Sequence, residues 1–81
     1  MKYKIGTRID FIDEGDREDD LHEYWKIIAY AITKEDQVVY LIWSSYNEYD
    51  NEYNFMTDDE LSKEIKDYEY YDNIVKIKEE E

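Results

Sequence analysis

The sequence contains no cysteine, no proline and only one histidine. Without cysteine the chain can form neither disulfides nor thiolate metal sites, and one histidine is too few for the usual zinc sites or for most histidine-based proton relays. No proline and only two glycines leave no segment with the composition of a flexible linker. Ordinary packing must therefore stabilise the fold, and the ten tyrosines and two tryptophans are expected to supply much of the buried area.

Long hydrophobic runs are also missing. The longest, Ile27–Ile32, is far shorter than the roughly 20 apolar residues that cross a membrane. The first residues, Met1–Gly6, do not develop the apolar stretch of a signal peptide. At 81 residues and 10.0 kDa we expect a single domain over residues 1–81, with residues 79–81 as a frayed tail, in the cytoplasm.

Positive charge is scarce, because 10 Lys and Arg face 23 Asp and Glu, for a formal net charge of -13 at pH 7. This balance excludes a nucleic-acid binder that works through phosphate contacts and argues against an anionic membrane surface. A hydrophobic fraction of 42%, with 17% aromatic residues, is too high for a charged disordered tail. The composition therefore predicts a folded domain whose partner is a protein and not a nucleic acid.

Three stretches have the patterns of β-strands. Tyr3–Phe11 alternates with period two and predicts a strand that is buried on its odd positions. Tyr24–Thr33 and Gln37–Trp43 are apolar on both faces and predict a central hairpin. Residues 44–55 are polar with interleaved tyrosines, which is typical of either a loop or an edge strand.

The clearest local signal is a helix start. Thr57 followed by Glu60 forms a capping box, and Met56 and Leu61 fall at the positions of a hydrophobic staple. The pattern predicts a short helix near residues 58–71. A last strand is predicted over residues 73–78.

The order of strand, long loop, hairpin, helix and strand resembles small SH3-like barrels. The resembling segments are Lys4–Ile9 as the opening strand, Trp25–Ala29 as the second, and Thr57–Leu61 before the last strand. The resemblance implies a partly open barrel. The lack of glycine in the expected hairpin turn departs from that pattern, so an open antiparallel sheet with one helix packed on it remains an alternative. The expected class is thus α+β, a small antiparallel sheet or SH3-like barrel of four to five strands with one helix.

The carboxylates suggest a function if they share a face. Spread evenly over roughly 5,200 Å² of surface, 13 net charges would give one per about 400 Å², whereas duplex DNA carries one per roughly 110 Å². A binding face of about 800 Å² at the density of DNA needs about seven charges. Residues 13–23 hold seven carboxylates: Asp13, Glu14, Asp16, Glu18, Asp19, Asp20 and Glu23.

Tyrosines interleaved with acids form a second candidate surface. Tyrosine is enriched at protein interfaces, and its acidic neighbours can pair with Lys or Arg that normally hold phosphate. In the alternative interpretation, several tyrosines belong to the core and the acidic loop only aids solubility. The candidate partner-binding residues in these segments are Tyr46, Glu48, Tyr49, Asp50, Glu52, Tyr53, Asp67 and Glu69.

Catalytic and metal sites have little support. A calcium-binding loop starting at Asp50 would need glycine in place of Phe55 and a carboxylate in place of Leu61. His22 stands beside Glu23, but no motif marks a nucleophile for it to activate. We therefore expect no enzymatic activity, no metal site and no cofactor.

In size and composition the chain resembles the acidic DNA-mimic anti-defence proteins of phages and mobile elements, of the anti-CRISPR and anti-restriction kinds. This resemblance implies an inhibitor that binds a basic nucleic-acid-binding protein, such as a nuclease or a CRISPR effector, and blocks its nucleic-acid channel. Two alternatives remain open at this point. One is an immunity protein for a cationic nuclease toxin, and the other is an SH3-like protein-interaction module with no inhibitory role.

Overall fold

A computed structural model describes residues 2–17, 19, 21–45, 51–71 and 73–79. The elements are β1 (Arg8–Asp13), β2 (Glu23–Ile32), β3 (Val38–Ser45), β4 (Asn51–Thr57), α1 (Asp58–Tyr70) and β5 (Asn73–Lys78). The strands form one antiparallel sheet in the order β4-β3-β2-β1-β5. The predicted α+β class is confirmed, and within the described residues the sheet stays open between its edge strands β4 and β5 instead of closing into a barrel.

The first strand is shorter than the sequence predicts. Residues Lys4–Thr7 form a turn closed by a hydrogen bond from the Thr7 N–H to the Lys4 carbonyl oxygen (3.1 Å). Gly6 sits in this turn at φ 91°, which glycine adopts without steric cost. Because the chain reverses there, β1 begins at Arg8, and Tyr3 reaches the core from outside the strand.

The predicted central hairpin is confirmed as β2 and β3. Its turn has no glycine, and Asp36 takes the left-handed position at φ 59°. The Asp36 N–H bonds to the Thr33 carbonyl (3.0 Å), and the Thr33 N–H bonds to the Gln37 carbonyl (2.9 Å). Aspartate is one of the few residues that tolerate this backbone conformation, so the hairpin closes without glycine.

The described part of the polar, tyrosine-rich segment forms an edge strand and not a loop. Ser44 and Ser45 complete β3, and Asn51–Thr57 pairs with β3 as β4. Residues 46–50 lie outside the described part of the chain.

The predicted capping box starts α1. The Glu60 N–H donates to Thr57 Oγ1 (3.1 Å), and the Thr57 N–H donates to a Glu60 carboxylate oxygen (3.2 Å). Leu61 and Ile65 are buried on the side of the helix that faces the sheet. Since they are four positions apart, they lie on one stripe of the helix.

The core lies between α1 and one face of the sheet. Its buried members are Tyr3, Ile9, Phe11, Trp25, Ile27, Tyr40, Ile42, Leu61 and Ile65. The residues that alternate with these along the strands point to the opposite face, which we call the outward face. No helix among the described residues is long and apolar enough to cross a membrane.

Candidate partner-binding site

The strand register brings separate acidic segments to one end of the sheet. Asp13, the last residue of β1, pairs with Asn73, the first residue of β5. Ser45, the last residue of β3, pairs with Tyr24 near the start of β2 and with Asn51, the first residue of β4. The end of β1, the start of β4 and the start of β5 therefore lie at this end of the sheet, although they are far apart in sequence.

Seven exposed carboxylates occupy this end among the described residues. Gly15, at φ 93°, turns the chain after β1, and the Asp16 N–H bonds to the Asp13 carbonyl oxygen (3.0 Å). We define the acidic end by its exposed carboxylates: Asp13, Glu14, Asp16, Asp19, Glu52, Asp67 and Glu69. The fold thus adds Glu52, Asp67 and Glu69 to the acids that are already neighbours in the sequence after β1.

The C-terminus of α1 adds to the negative potential. The last turn of the helix contains no basic residue, although that end carries the negative pole of the helix dipole. Tyr68 anchors this part of the helix, because its ring packs on Phe11 (centroids 4.2 Å apart) and its hydroxyl donates to Glu23 (3.2 Å). Asp67 and Glu69, on either side of Tyr68, are held beside the start of β2.

Glu23 differs from the other predicted carboxylates because it is half-buried. It accepts hydrogen bonds from Trp25 Nε1 (2.6 Å) and from the Tyr68 hydroxyl. Burial raises its pKa above the ordinary value, and the neighbouring charge of Asp13 acts in the same direction, while the two hydrogen bonds oppose them. Glu23 therefore holds the helix against β2 and offers little free carboxylate to a partner.

The structure places the remaining predicted residues in two groups. Glu52 and Tyr53 are both exposed near the start of β4 but point to opposite faces, since they are neighbours in a strand. Tyr53 pairs with Trp43 on the outward face. Six predicted residues lie outside the described part of the chain: Glu18, Asp20, Tyr46, Glu48, Tyr49 and Asp50.

Many of the cationic residues lie toward the other end of the sheet. Arg8, at the start of β1, pairs with Lys26 and Lys78, and Lys34 lies in the hairpin turn. Spread over the whole surface of 5,831 Å², 13 net charges would give one per about 450 Å² (5,831 divided by 13). That end also carries exposed carboxylates, among them Glu35, Asp36, Asp59 and Glu79, and Arg17 lies in the segment after β1.

A small hollow adjoins the acidic end. It has a volume of about 260 Å³ and is lined by Glu64, Asp67, Tyr68 and Tyr71. Two carboxylates and two phenol rings form a suitable environment for an ammonium or guanidinium group, through ion pairing and cation–π contact. The hollow can therefore accept a Lys or Arg side chain.

The sequence did not reveal a buried ion network on the outward face. Asp10 falls at an even position of the period-two pattern, yet its side chain is only 1% exposed. Its Oδ1 accepts hydrogen bonds from Arg8 Nε (3.0 Å) and Nη2 (2.9 Å), and His22 Nε2 lies 2.7 Å away. Lys78 Nζ approaches Oδ2 at 3.9 Å. His22 is thus held in a contact with the buried carboxylate of Asp10.

Burial is the largest single influence on the pKa of Asp10 and would raise it. The hydrogen bonds from Arg8 and His22, together with the charges of Arg8 and Lys78, outweigh burial, so the pKa lies below the ordinary value. The only sequence signal for this network was Arg8 two residues before Asp10, a spacing that puts both side chains on the same face of a strand.

No group of three or more potential ligands suitable for a metal ion occurs in the described ranges. Comparison with protein-family models, curated proteins and solved structures finds no match to this chain. The acidic end and the hollow beside it are the main candidate surface among the described residues.

Proposed function

We propose that the chain is a non-enzymatic inhibitor that imitates DNA. Its partner is a basic nucleic-acid-binding protein of the bacterial cytoplasm, such as a nuclease or a CRISPR effector, whose nucleic-acid channel it occludes. The supporting observation is the convergence of exposed acids from three parts of the sequence, represented by Asp13, Glu52 and Asp67, at one end of the sheet. This function needs no cofactor and no direct contact with nucleic acid.

The physical mechanism has two parts. Carboxylates pair with the Lys and Arg side chains that would otherwise hold phosphates, and the long-range field of the acidic end accelerates encounter with a basic channel. The hollow beside Asp67 then takes one cationic side chain, with the exposed ring of Tyr71 contributing about 0.5–1 kcal/mol of cation–π attraction. Charge sets the rate of association, and the aromatic contact slows dissociation.

A second candidate function is supported by the outward face. Tyr53 and Phe55 are largely exposed there, and Tyr53 pairs with the half-buried Trp43. In this alternative the chain is an interaction module that binds through its aromatic side chains, and its acidity serves solubility. An immunity protein for a nuclease toxin belongs to the first class, since it would use the acidic end in the same way.

Affinity capture from a bacterial lysate tests the proposal. The immobilised chain should retain basic DNA-binding or RNA-binding proteins, which elute as the NaCl concentration is raised and which added duplex DNA displaces. Retention of a partner that is not basic and that resists salt would contradict the inhibitor and favour the interaction module.

Matched variants locate the surface. Asp13→Asn, Glu14→Gln, Asp16→Asn and Asp19→Asn combined should slow association with a captured protein by about tenfold. The control combines Glu35→Gln, Asp36→Asn, Asp59→Asn and Glu79→Gln, which remove the same charge from exposed positions elsewhere. Equal slowing by both variants would show that total charge, and not the acidic end, determines binding.

A further inference from the structure

Strand β2 is longer than its neighbour β1, so part of one edge of β2 is not paired with β1. The contact of β1 with β2 ends at Ile27, which accepts from the Gly6 N–H (2.7 Å) and donates to the Thr7 carbonyl (2.9 Å). The chain before Thr7 then reverses in the turn Lys4–Thr7. The following segment of β2, Ile28–Ile32, is paired with β3 on one side only.

The hydrogen-bond pattern identifies the backbone groups on the uncovered side. The Thr33 N–H bonds to the Gln37 carbonyl, so in an antiparallel ladder Ala31 is also a residue that bonds toward β3. Tyr30 and Ile32, which alternate with Ala31, therefore point their N–H and C=O groups away from β3. Before the register shift between Ile27 and Ala29, odd-numbered residues such as Ile27 bond away from β3. After the shift, odd-numbered residues such as Ala31 bond toward β3.

Within the described residues, no backbone hydrogen bond reaches Tyr30 or Ile32 from the uncovered side. The side chains are open as well, since Tyr30 is 44% and Ile32 is 62% exposed. We call Ile28–Ile32 the open edge. It offers strand-forming residues and unused backbone donors and acceptors at the same place.

The open edge has no charged side chain, whereas each of the two outer strands carries at least one. Natural edge strands are usually blocked by charged side chains, proline or covering elements. The outer strand β5 carries Lys76 and Lys78, and β4 carries Glu52. The open edge contains no charged residue, although 41% of the chain is charged. Pairing with another strand is therefore not opposed by charge at the contact itself.

We propose that a second copy of this chain pairs with the open edge, antiparallel, across a two-fold axis at Ala31. In this register Tyr30 stands opposite Ile32 of the second copy, and both residues use their outward backbone groups. Ala31 faces Ala31 of the second copy, a small pair that fits the closer spacing of a non-hydrogen-bonded position. Identical edges match each other in donors, acceptors and apolar side chains, so a second copy supplies a complementary strand at this axis.

The size and charge of the contact predict its strength. Five residues per chain is well below the roughly 20–30 residues per side of a stable interface, so we expect a dissociation constant of about 0.1–1 mM. Two copies with a net charge of -13 each also repel one another. Salt should therefore tighten the dimer, whereas it should weaken binding of the proposed basic partner. The two proposals are independent, and their opposite salt dependence keeps their outcomes distinguishable.

A charge-swap experiment tests the axis. Sedimentation of the full chain up to about 1 mM, in NaCl from about 0.1 M to about 1 M, should show a dimer that strengthens with salt. Ala31→Lys and Ala31→Glu should each weaken it by about fivefold, because like charges stand directly opposite each other at the axis. An equal mixture of the two variants should restore association. Phe55→Lys, exposed on the outward face, is the control and should leave the dimer unchanged.

Amide hydrogen exchange tests the hydrogen bonds directly. The N–H groups of Tyr30 and Ile32 should become protected as the protein concentration rises, while exchange at dilute conditions stays fast. Absence of a dimer at about 1 mM in high salt would overturn the proposal. A dimer that leaves these two amides unprotected, or protection that requires another protein, would also overturn it.

Discussion

Replacing Asp10 with asparagine should destabilise the fold by about 2 kcal/mol at neutral pH. The carboxylate is buried and is held by Arg8 and His22. Asparagine keeps the shape of the side chain but removes the charge, so the hydrogen bonds to Oδ1 lose their ionic component and the cationic neighbours lose their counterion.

The magnitude follows from how easily the cations can return to water. Removing one partner of a buried ion pair costs about 3–5 kcal/mol when the other stays buried. Here the side chains of Arg8 and Lys78 are 38% and 51% exposed, so both can be rehydrated and the cost is lower. For a domain of 81 residues, about 2 kcal/mol lowers the Tm by about 10 °C.

The pH dependence provides a second test. Because the pKa of Asp10 is lowered in the folded protein, its stabilising contribution is present above the ordinary aspartate value of about 3.9. The contribution is lost as the pH falls through the lowered pKa. The stability difference between wild type and Asp10→Asn should therefore be full near neutral pH and should shrink in acid.

Urea denaturation followed by tryptophan fluorescence, at pH 7 and at about pH 3, measures both effects. Asp19→Asn, on an exposed carboxylate, is the control and should change stability by less than about 0.5 kcal/mol. If Asp10→Asn were as stable as wild type at pH 7, or if the difference were the same at both pH values, the network would not contribute as described.

Two further substitutions test local features. Glu23→Gln should leave the protein as stable as wild type or more stable at pH 7, because burial raises the pKa of Glu23 and so penalises its charged form. That advantage should vanish below about pH 4, where the glutamate is protonated in both the folded and the unfolded protein. Urea denaturation at the two pH values measures it, and a variant less stable than wild type at pH 7 would contradict this reasoning. Asp36→Gly should raise stability by about 0.5–1 kcal/mol, since glycine adopts the left-handed backbone of the hairpin turn more readily. A lower Tm for Asp36→Gly would show that the aspartate side chain contributes more to this turn than its backbone conformation costs.

The helix and the last strand were predictable because their signals are local. Thr57 and Glu60 are three residues apart and define the start of α1 without reference to the rest of the chain. The last strand was predicted over residues 73–78, and β5 covers Asn73–Lys78. Period-two alternation, by contrast, placed the start of the first strand too early, because the alternation continues through Gly6 although the chain reverses there.

The candidate site could be predicted only in part, because the strand order of the sheet determines which acidic segments become neighbours. The abundance of acids at residues 13–23 is visible in the sequence, but their proximity to Asp67 follows from the pairing of Asp13 with Asn73. No local pattern specifies that pairing. The burial of Asp10 was missed for a similar reason, since the residues that enclose it come from β1, from the segment before β2 and from β5.

Stability alone does not account for where the acids of α1 lie. Asp58, Asp59 and Glu60 stand in the first turn, where the helix dipole favours negative charge by about 0.3–1 kcal/mol each. Asp67 and Glu69 stand at the opposite pole, where the same interaction is unfavourable and where the last turn holds no basic residue. A chain selected for folding alone would place lysines there, and the fold instead brings further carboxylates from the segment after β1 to the same end. Binding of the proposed cationic partners would account for this cost in stability, and the placement of Asp67 and Glu69 is the physical argument for testing the acidic end first.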